Sequence, residues 1–142
     1  MFSKACEYGI RATVYIASEA NEIRKVGIPE ICEHIEAPLH FTAKILQALS
    51  RRHIISSQKG LNGGFFLDEN QKKKPLKEIV EAIDGTNIFI GCGLGLKQCS
   101  ETKPCPIHNQ FKEIRSKLTV MMESTTIETL AQKLKNGETV LM

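Results

Sequence analysis

Cys92, Cys99 and Cys105 are spaced C-x6-C-x5-C, and His108 follows in the run Cys105-Pro-Ile-His108. Three thiols and one imidazole within seventeen residues form a donor set for a soft metal. Glycines at 91, 93 and 95 surround the first thiol, so this stretch reads as a loop. Iron–sulfur clusters are held by thiolates, usually four, and imidazole can replace thiolate on one iron. Three cysteines leave one position to another side chain, and His108 is the local candidate. Zinc is the alternative ion, because a Cys3His set suits it. Structural zinc sites usually contain C-x2-C pairs, however, and none occurs here. The x6 and x5 gaps suit a loop wrapped around a larger cluster. Thiol redox chemistry without metal is the third reading.

The rest of the composition narrows the setting. Five cysteines in 142 residues is an odd number, which argues against a secreted disulfide framework. The N-terminus carries charges where a signal peptide needs an apolar stretch, and no run of about 18 apolar residues occurs. A cytoplasmic protein with no membrane partner is expected. Cys6 and Cys32 fall on apolar helix faces and read as small buried hydrophobes. Catalysis is not expected. No Ser/His/Asp arrangement is visible, and Gly91-Cys-Gly-Leu-Gly lacks the strand-to-helix order of a phosphate loop.

The elements before the thiols read as a DNA-holding module. Residues 38–74 carry seven Lys/Arg and two Asp/Glu, a net of +5, while 1–37 carry −2 and 75–142 carry zero. A basic excess confined to one segment suggests a local polyanion-binding surface. Phe2, Cys6, Ile10, Val14 and Ala17 predict a first amphipathic helix to about Ala20. Gly27 and Pro29 open a short second helix, which Pro38 should stop near Glu36. A third is expected from about Leu39 to Arg52, with Phe41, Ile45, Leu46 and Leu49 inward. His40, Thr42, Ala43, Lys44, Gln47 and Arg51 are its candidate DNA-reading residues. Gln47 suits an adenine edge, and Arg51 a guanine or phosphate. Ile54-Ile-Ser-Ser and Phe65-Phe-Leu then predict two strands around a glycine-rich turn, with Lys59 and Asn62 at its tip. A helix-turn-helix followed by a hairpin is a winged helix, whose wing can place Lys59 beside a phosphate or in the minor groove.

Pro75 opens a fourth helix, with Leu76, Ile79, Val80 and Ile83 on one face and Gly85 as its stop. Pro106 opens a longer one. Its Ile107, Phe111, Ile114, Leu118 and Met121 repeat 4-3-4-3, the pattern of a pairing seam. Thr125 and Glu128 predict a capping box for a last helix from Thr126 to about Leu134.

With these pieces in place, the chain resembles the Rrf-type winged-helix regulators of bacteria, which include the iron–sulfur regulators IscR and NsrR. The likeness rests on Ser3 to Ala12 (SKACEYGIRA), the wing Lys59 to Leu67 (KGLNGGFFL) and Leu76 to Gly85 (LKEIVEAIDG). The cysteine trio and Thr126 to Ala131 (TIETLA) complete it. The resemblance implies a homodimeric DNA-binding repressor or activator. In its cluster-binding members the three cysteines hold [2Fe–2S] or [4Fe–4S]. It adds Glu7 as a distant fourth-ligand candidate, matching an Asp from the opposite subunit's first helix in some nitric-oxide-sensing relatives. There are departures. Phe65 stands where the family often has Tyr, Asp68-Glu69 where an Ala-Arg pair is common, and Phe111 where Trp is common.

The expected fold is therefore mainly α with a small β-hairpin wing: a winged helix-turn-helix plus a long dimerisation helix. Three segments follow: a DNA-binding domain over 1–85, a cysteine-rich cluster loop over 86–105, and dimerisation and C-terminal helices over 106–142. The expected function is a homodimeric regulator of transcription that grips double-stranded DNA under control of an iron–sulfur cluster. The alternatives are a clusterless winged-helix regulator that senses through thiols or a protein partner, and a small iron–sulfur redox carrier.

Overall fold

In the computed structural model, which describes residues 1–142, the first helix α1 (Lys4–Glu19) begins at Ser3. The Ser3 hydroxyl accepts a hydrogen bond from the Cys6 N–H and caps the helix. Cys6, Ala12, Val14, Tyr15, Ile16 and Ala17 are buried, because other helices pack around α1 from several sides. α2 (Ile28–Ile35) has Pro29 in its first turn and ends at Glu36, which takes a left-handed φ of 50°. Pro38 then caps α3 (Leu39–Arg51), so the two helices meet at the expected corner.

The inward face of α3 is Thr42, Ile45, Leu46 and Leu49, an i, i+3, i+4, i+7 stripe. Two expectations are corrected here. Phe41 is 43% exposed and lies edge-on to Tyr8, with ring centroids 5.9 Å apart. Thr42 takes the inward position and is 0% exposed. The buried stripe starts one residue later than the apolar pattern suggested, because Tyr8 gives Phe41 an aromatic partner at the rim.

Strands β1 (Ser56–Gln58) and β2 (Gly64–Phe66) form an antiparallel hairpin, pairing Ser56 with Phe66 and Gln58 with Gly64. The first strand starts two residues later than expected, since Ile54 and Ile55 are buried as a connector beneath it. The other edge of β2 is also paired. Val26 donates to the Phe65 carbonyl at 3.0 Å and accepts from the Phe65 N–H at 2.7 Å. Gly64 has φ of 144°, and a Cβ there would lie 2.7 Å from the Val26 carbonyl oxygen. The wing is thus sewn to the segment leading into α2.

A short helix α4 (Glu69–Lys72) follows, opened by a capping box between Asp68 and Gln71. The Gln71 side chain also accepts from the Ser56 hydroxyl and donates to the His53 carbonyl, tying α4 to the base of the wing. α5 (Leu76–Asp84) stops at Gly85, at φ of 79°. A single turn, α6 (Asn87–Ile90), precedes the thiol loop, and α7 (His108–Ser124) follows it, starting two residues beyond Pro106. α8 (Ile127–Lys135) is capped by Thr126, whose hydroxyl accepts from the Thr129 N–H, one residue along from the expected cap. It packs along α1, and its Ile127 and Ala131 join the core that holds Cys6, Ile16 and Leu46. First and last helices therefore share one core. No helix is long and apolar enough to cross a membrane.

Candidate metal centre and nucleic-acid interface

The thiol loop is shaped by close approaches to its own base. The Gly91 N–H closes α6 on the Asn87 carbonyl, and the Gly95 N–H returns to the Cys92 carbonyl at 3.0 Å. A Cβ on Gly93 would lie 2.8 Å from the Phe111 ring, so only glycine lets the loop lie against α7 there. The loop gathers its donors into two pairs. Cys92 Sγ and Cys105 Sγ are 3.7 Å apart, and Cys99 Sγ is 3.4 Å from His108 Nδ1. Two thiolates on one tetrahedral ion with bonds of about 2.3 Å stand about 3.8 Å apart. The Cys92–Cys105 spacing therefore matches a shared metal atom. Cys92 and Cys99 also line one cavity of about 570 Å³. No three ligating side chains converge on a single point, however, so the two pairs stay separate.

The surroundings favour the ligating forms. The N–H groups of Leu94 and Leu96 point at Cys92 and hold its pKa below the ordinary thiol value of 9.0. A lowered thiol pKa favours the thiolate, the form that binds metal. His108 is 5% exposed at the first residue of α7, with Nδ1 turned to Cys99. Its Nε2 is buried without a hydrogen bond and faces a Glu101 carboxylate oxygen at 3.6 Å. Glu101 is held by Lys112, whose ammonium hydrogen-bonds it and keeps its pKa below the usual carboxylate range. A carboxylate behind a histidine is the arrangement that orients an imidazole ligand. The residues thus fit a metal or cluster by donor chemistry and by one matching spacing. Cys92, Cys99, Cys105 and His108 are brought to one loop end. Glu7 is not among them; its carboxylate pairs with Lys4 at 3.0 Å on the first turn of α1.

α3 and the hairpin flank a shared groove. His40, Lys44, Gln47 and Arg51 lie exposed on α3, with Ala43 half-buried among them. Thr42 is not on that face, since its side chain is turned into the core and its hydroxyl has no partner. Gln47, Arg51 and Lys59 line one cavity of about 470 Å³, with Ser50, Ser57 and Gln58 between them. The Ser50 and Ser57 hydroxyls are 3.1 Å apart and pin the helix to β1. Lys59 and Asn62 are exposed in the turn, on either side of a fully exposed Leu61. Sequence reasoning treated Ser57 as a plain strand residue and missed Glu101 and Arg115. Neither belongs to a motif; Arg115 comes to the thiols only because α7 folds back beside the loop.

The chain resembles known proteins over nearly its whole length. Residues 2–133 match the family model described as "Rrf2: Iron-dependent Transcriptional regulator". The chain is 32% identical over 132 residues to an HTH-type transcriptional regulator of Aquifex aeolicus, covering 92% of this chain and 90% of the other. Among solved structures, T. potens IscR superposes with a TM-score of 0.75 at 15% identity, covering 99% and 92% of the two chains. The global cysteine regulator CymR of B. subtilis superposes with 0.74 at 18% identity, covering 93% and 96%. At those identities the two structures speak for the fold alone.

Proposed function

This chain belongs to the Rrf2 family of transcriptional regulators, and from that premise we propose a homodimer whose hold on DNA is set by an iron–sulfur cluster. Cys92, Cys99 and Cys105 would be its thiolate ligands and His108 the fourth. The observation that carries the reading is the pairing of Cys92 with Cys105 and Cys99 with His108 at the mouth of α7. Glu7, paired with Lys4 within its own chain, is the alternative fourth ligand, supplied from the first helix of the second copy.

A bound cluster would supply one-electron chemistry and reactivity toward oxygen and nitric oxide. The chain's own residues do the rest. Backbone N–H groups hold Cys92 toward its thiolate, and a Glu101 carboxylate oxygen faces the far nitrogen of the His108 ring at 3.6 Å. The loop runs directly into α7, so a change in how the thiols are held reaches that helix. Ile114 and Met121, 59% and 49% exposed, lie seven residues apart along α7 and form the seam for a second copy. A shift at that seam moves two α3 helices relative to one another. Control requires only that the two forms differ in DNA affinity. At each head α3 would enter the major groove, with Lys44 and Arg51 on phosphate or guanine and Gln47 on a base edge. Lys59 and Asn62 would reach the backbone from the wing.

Anaerobic purification with absorption spectra and iron and sulfide analysis tests the proposal. The wild type should be coloured and Cys99→Ala colourless after reconstitution. A full cluster spectrum in Cys99→Ala would remove the assignment.

One observation favours a second reading. The 3.7 Å Cys92–Cys105 pair, with its lowered Cys92 pKa, also suits thiol sensing, in which an oxidant takes two electrons and two protons as a disulfide forms. Protein free of iron and sulfide that loses two titratable thiols on oxidation, with a matching change in DNA affinity, would establish it.

A further inference from the structure

Arg115 sits on α7 with its side chain directed at the thiol loop. Its Nη1 donates to the Gly91 carbonyl at 2.6 Å, to the Ile90 carbonyl at 3.3 Å and to Cys99 Sγ at 3.3 Å. The two carbonyls belong to the end of α6, where the last backbone acceptors of a helix lack intrahelical partners. One guanidinium therefore joins three elements: the end of α6, the far side of the loop and α7. The loop's own carboxylate, Glu101, is engaged by Lys112 and faces His108, so it leaves the Arg115 charge uncompensated.

We propose that Arg115 is a positioning residue for the thiol site, fixing Cys99 to α7 and setting a permanent positive charge against its sulfur. The proposal rests on the cluster reading above. Hydrogen bonds to the sulfurs and local charge set the reduction potential of a cluster. A cation beside a ligating sulfur favours the more negative, reduced state and raises the potential. Lysine supplies the charge from a flexible point donor, without the fixed direction of the guanidinium N–H groups.

The test is a redox titration of anaerobically reconstituted protein with dithionite as electron donor, read by visible absorption, beside iron analysis and thermal melting. Arg115→Gln and Arg115→Met should shift the one-electron equilibrium about tenfold toward the oxidised form, a fall of about 59 mV. Arg115→Lys should recover at least half of that shift. A neutral variant that melts as the wild type but takes up no iron also supports the assignment, because Cys99 has then lost its support. A folded, fully loaded neutral variant at the wild-type potential overturns it. So does a lysine variant no better than the neutral ones, since the effect would then be packing and not charge. Unfolding of both neutral variants overturns it as well, because Arg115 would be holding the chain and not the sulfur. Wild-type protein that takes up no cluster at all defeats the earlier reading, and this inference with it; unchanged variants of a coloured wild type defeat this inference alone.

Discussion

Cys6 and Cys92 carry the same thiol in opposite surroundings. Burial on α1, followed by the charge of Asp84, pushes the Cys6 pKa from 9.0 up to about 12, while N–H donors lower that of Cys92. Above pH 9 the unfolded chain gives up the Cys6 proton and the folded chain keeps it until about 12. The folded state then binds more protons, so its stability falls as pH rises through that window. Urea midpoints taken from about pH 8 to about pH 11 should fall more steeply in wild type than in Cys6→Ala. Parallel slopes would count against the burial argument. At this scale the sequence supplied candidate ligands, because thiol and imidazole chemistry is legible from residue type. It did not show which thiol meets which partner, since x6 and x5 gaps allow many loop closures. Arg115 and Glu101 were invisible for the same reason: they reach Cys99 and His108 through folding, not through spacing. Thr42 was assigned to the wrong face because a threonine in an apolar stripe reads as polar surface.

The hairpin turn depends on Gly63 lying against its own backbone. A Cβ on Gly63 would stand 2.1 Å from the Gln58 carbonyl oxygen, inside the turn itself. Gly63→Ala must therefore open the turn, at a cost of about 1–3 kcal/mol by the usual scale of overpacking. Fluorescence anisotropy with a labelled operator duplex should show at least a roughly tenfold loss of affinity, about 1.4 kcal/mol. Far-UV circular dichroism should stay helical; intact binding would show that the wing is dispensable. Helices α1, α2, α3 and α5 were legible because apolar periodicity and Gly/Pro punctuation agree there. α6 was not, since Asn87-Ile-Phe-Ile is too short to show a period. α4 was hidden behind Asp68-Glu69, which stood out only as a departure from the family's usual pair and forms the cap and first residue of a helix. The Val26 bridge pairs residues 39 positions apart, a distance that no local pattern reports.

At the scale of the whole molecule, the exposed stripe on α7 predicts the assembly. Ile114→Glu should put a charge into the seam and yield monomers by light scattering, with the melting temperature of the isolated fold little changed, because Ile114 is exposed within one chain. A dimer that survives this change would place the interface elsewhere. Monomers should also lose the gain that comes from gripping two half-sites together. The 4-3-4-3 repeat revealed this stripe but not its division: Phe111 and Leu118 are half-buried, while Ile114 and Met121 face outward. The packing of α8 against α1 has a further consequence. Because Ile127 and Ala131 pack into the core around α1, that core is incomplete in a nascent chain while those residues are still inside the ribosome. The packing of α1 is therefore finished only when α8 emerges, not from the N-terminus as synthesis proceeds.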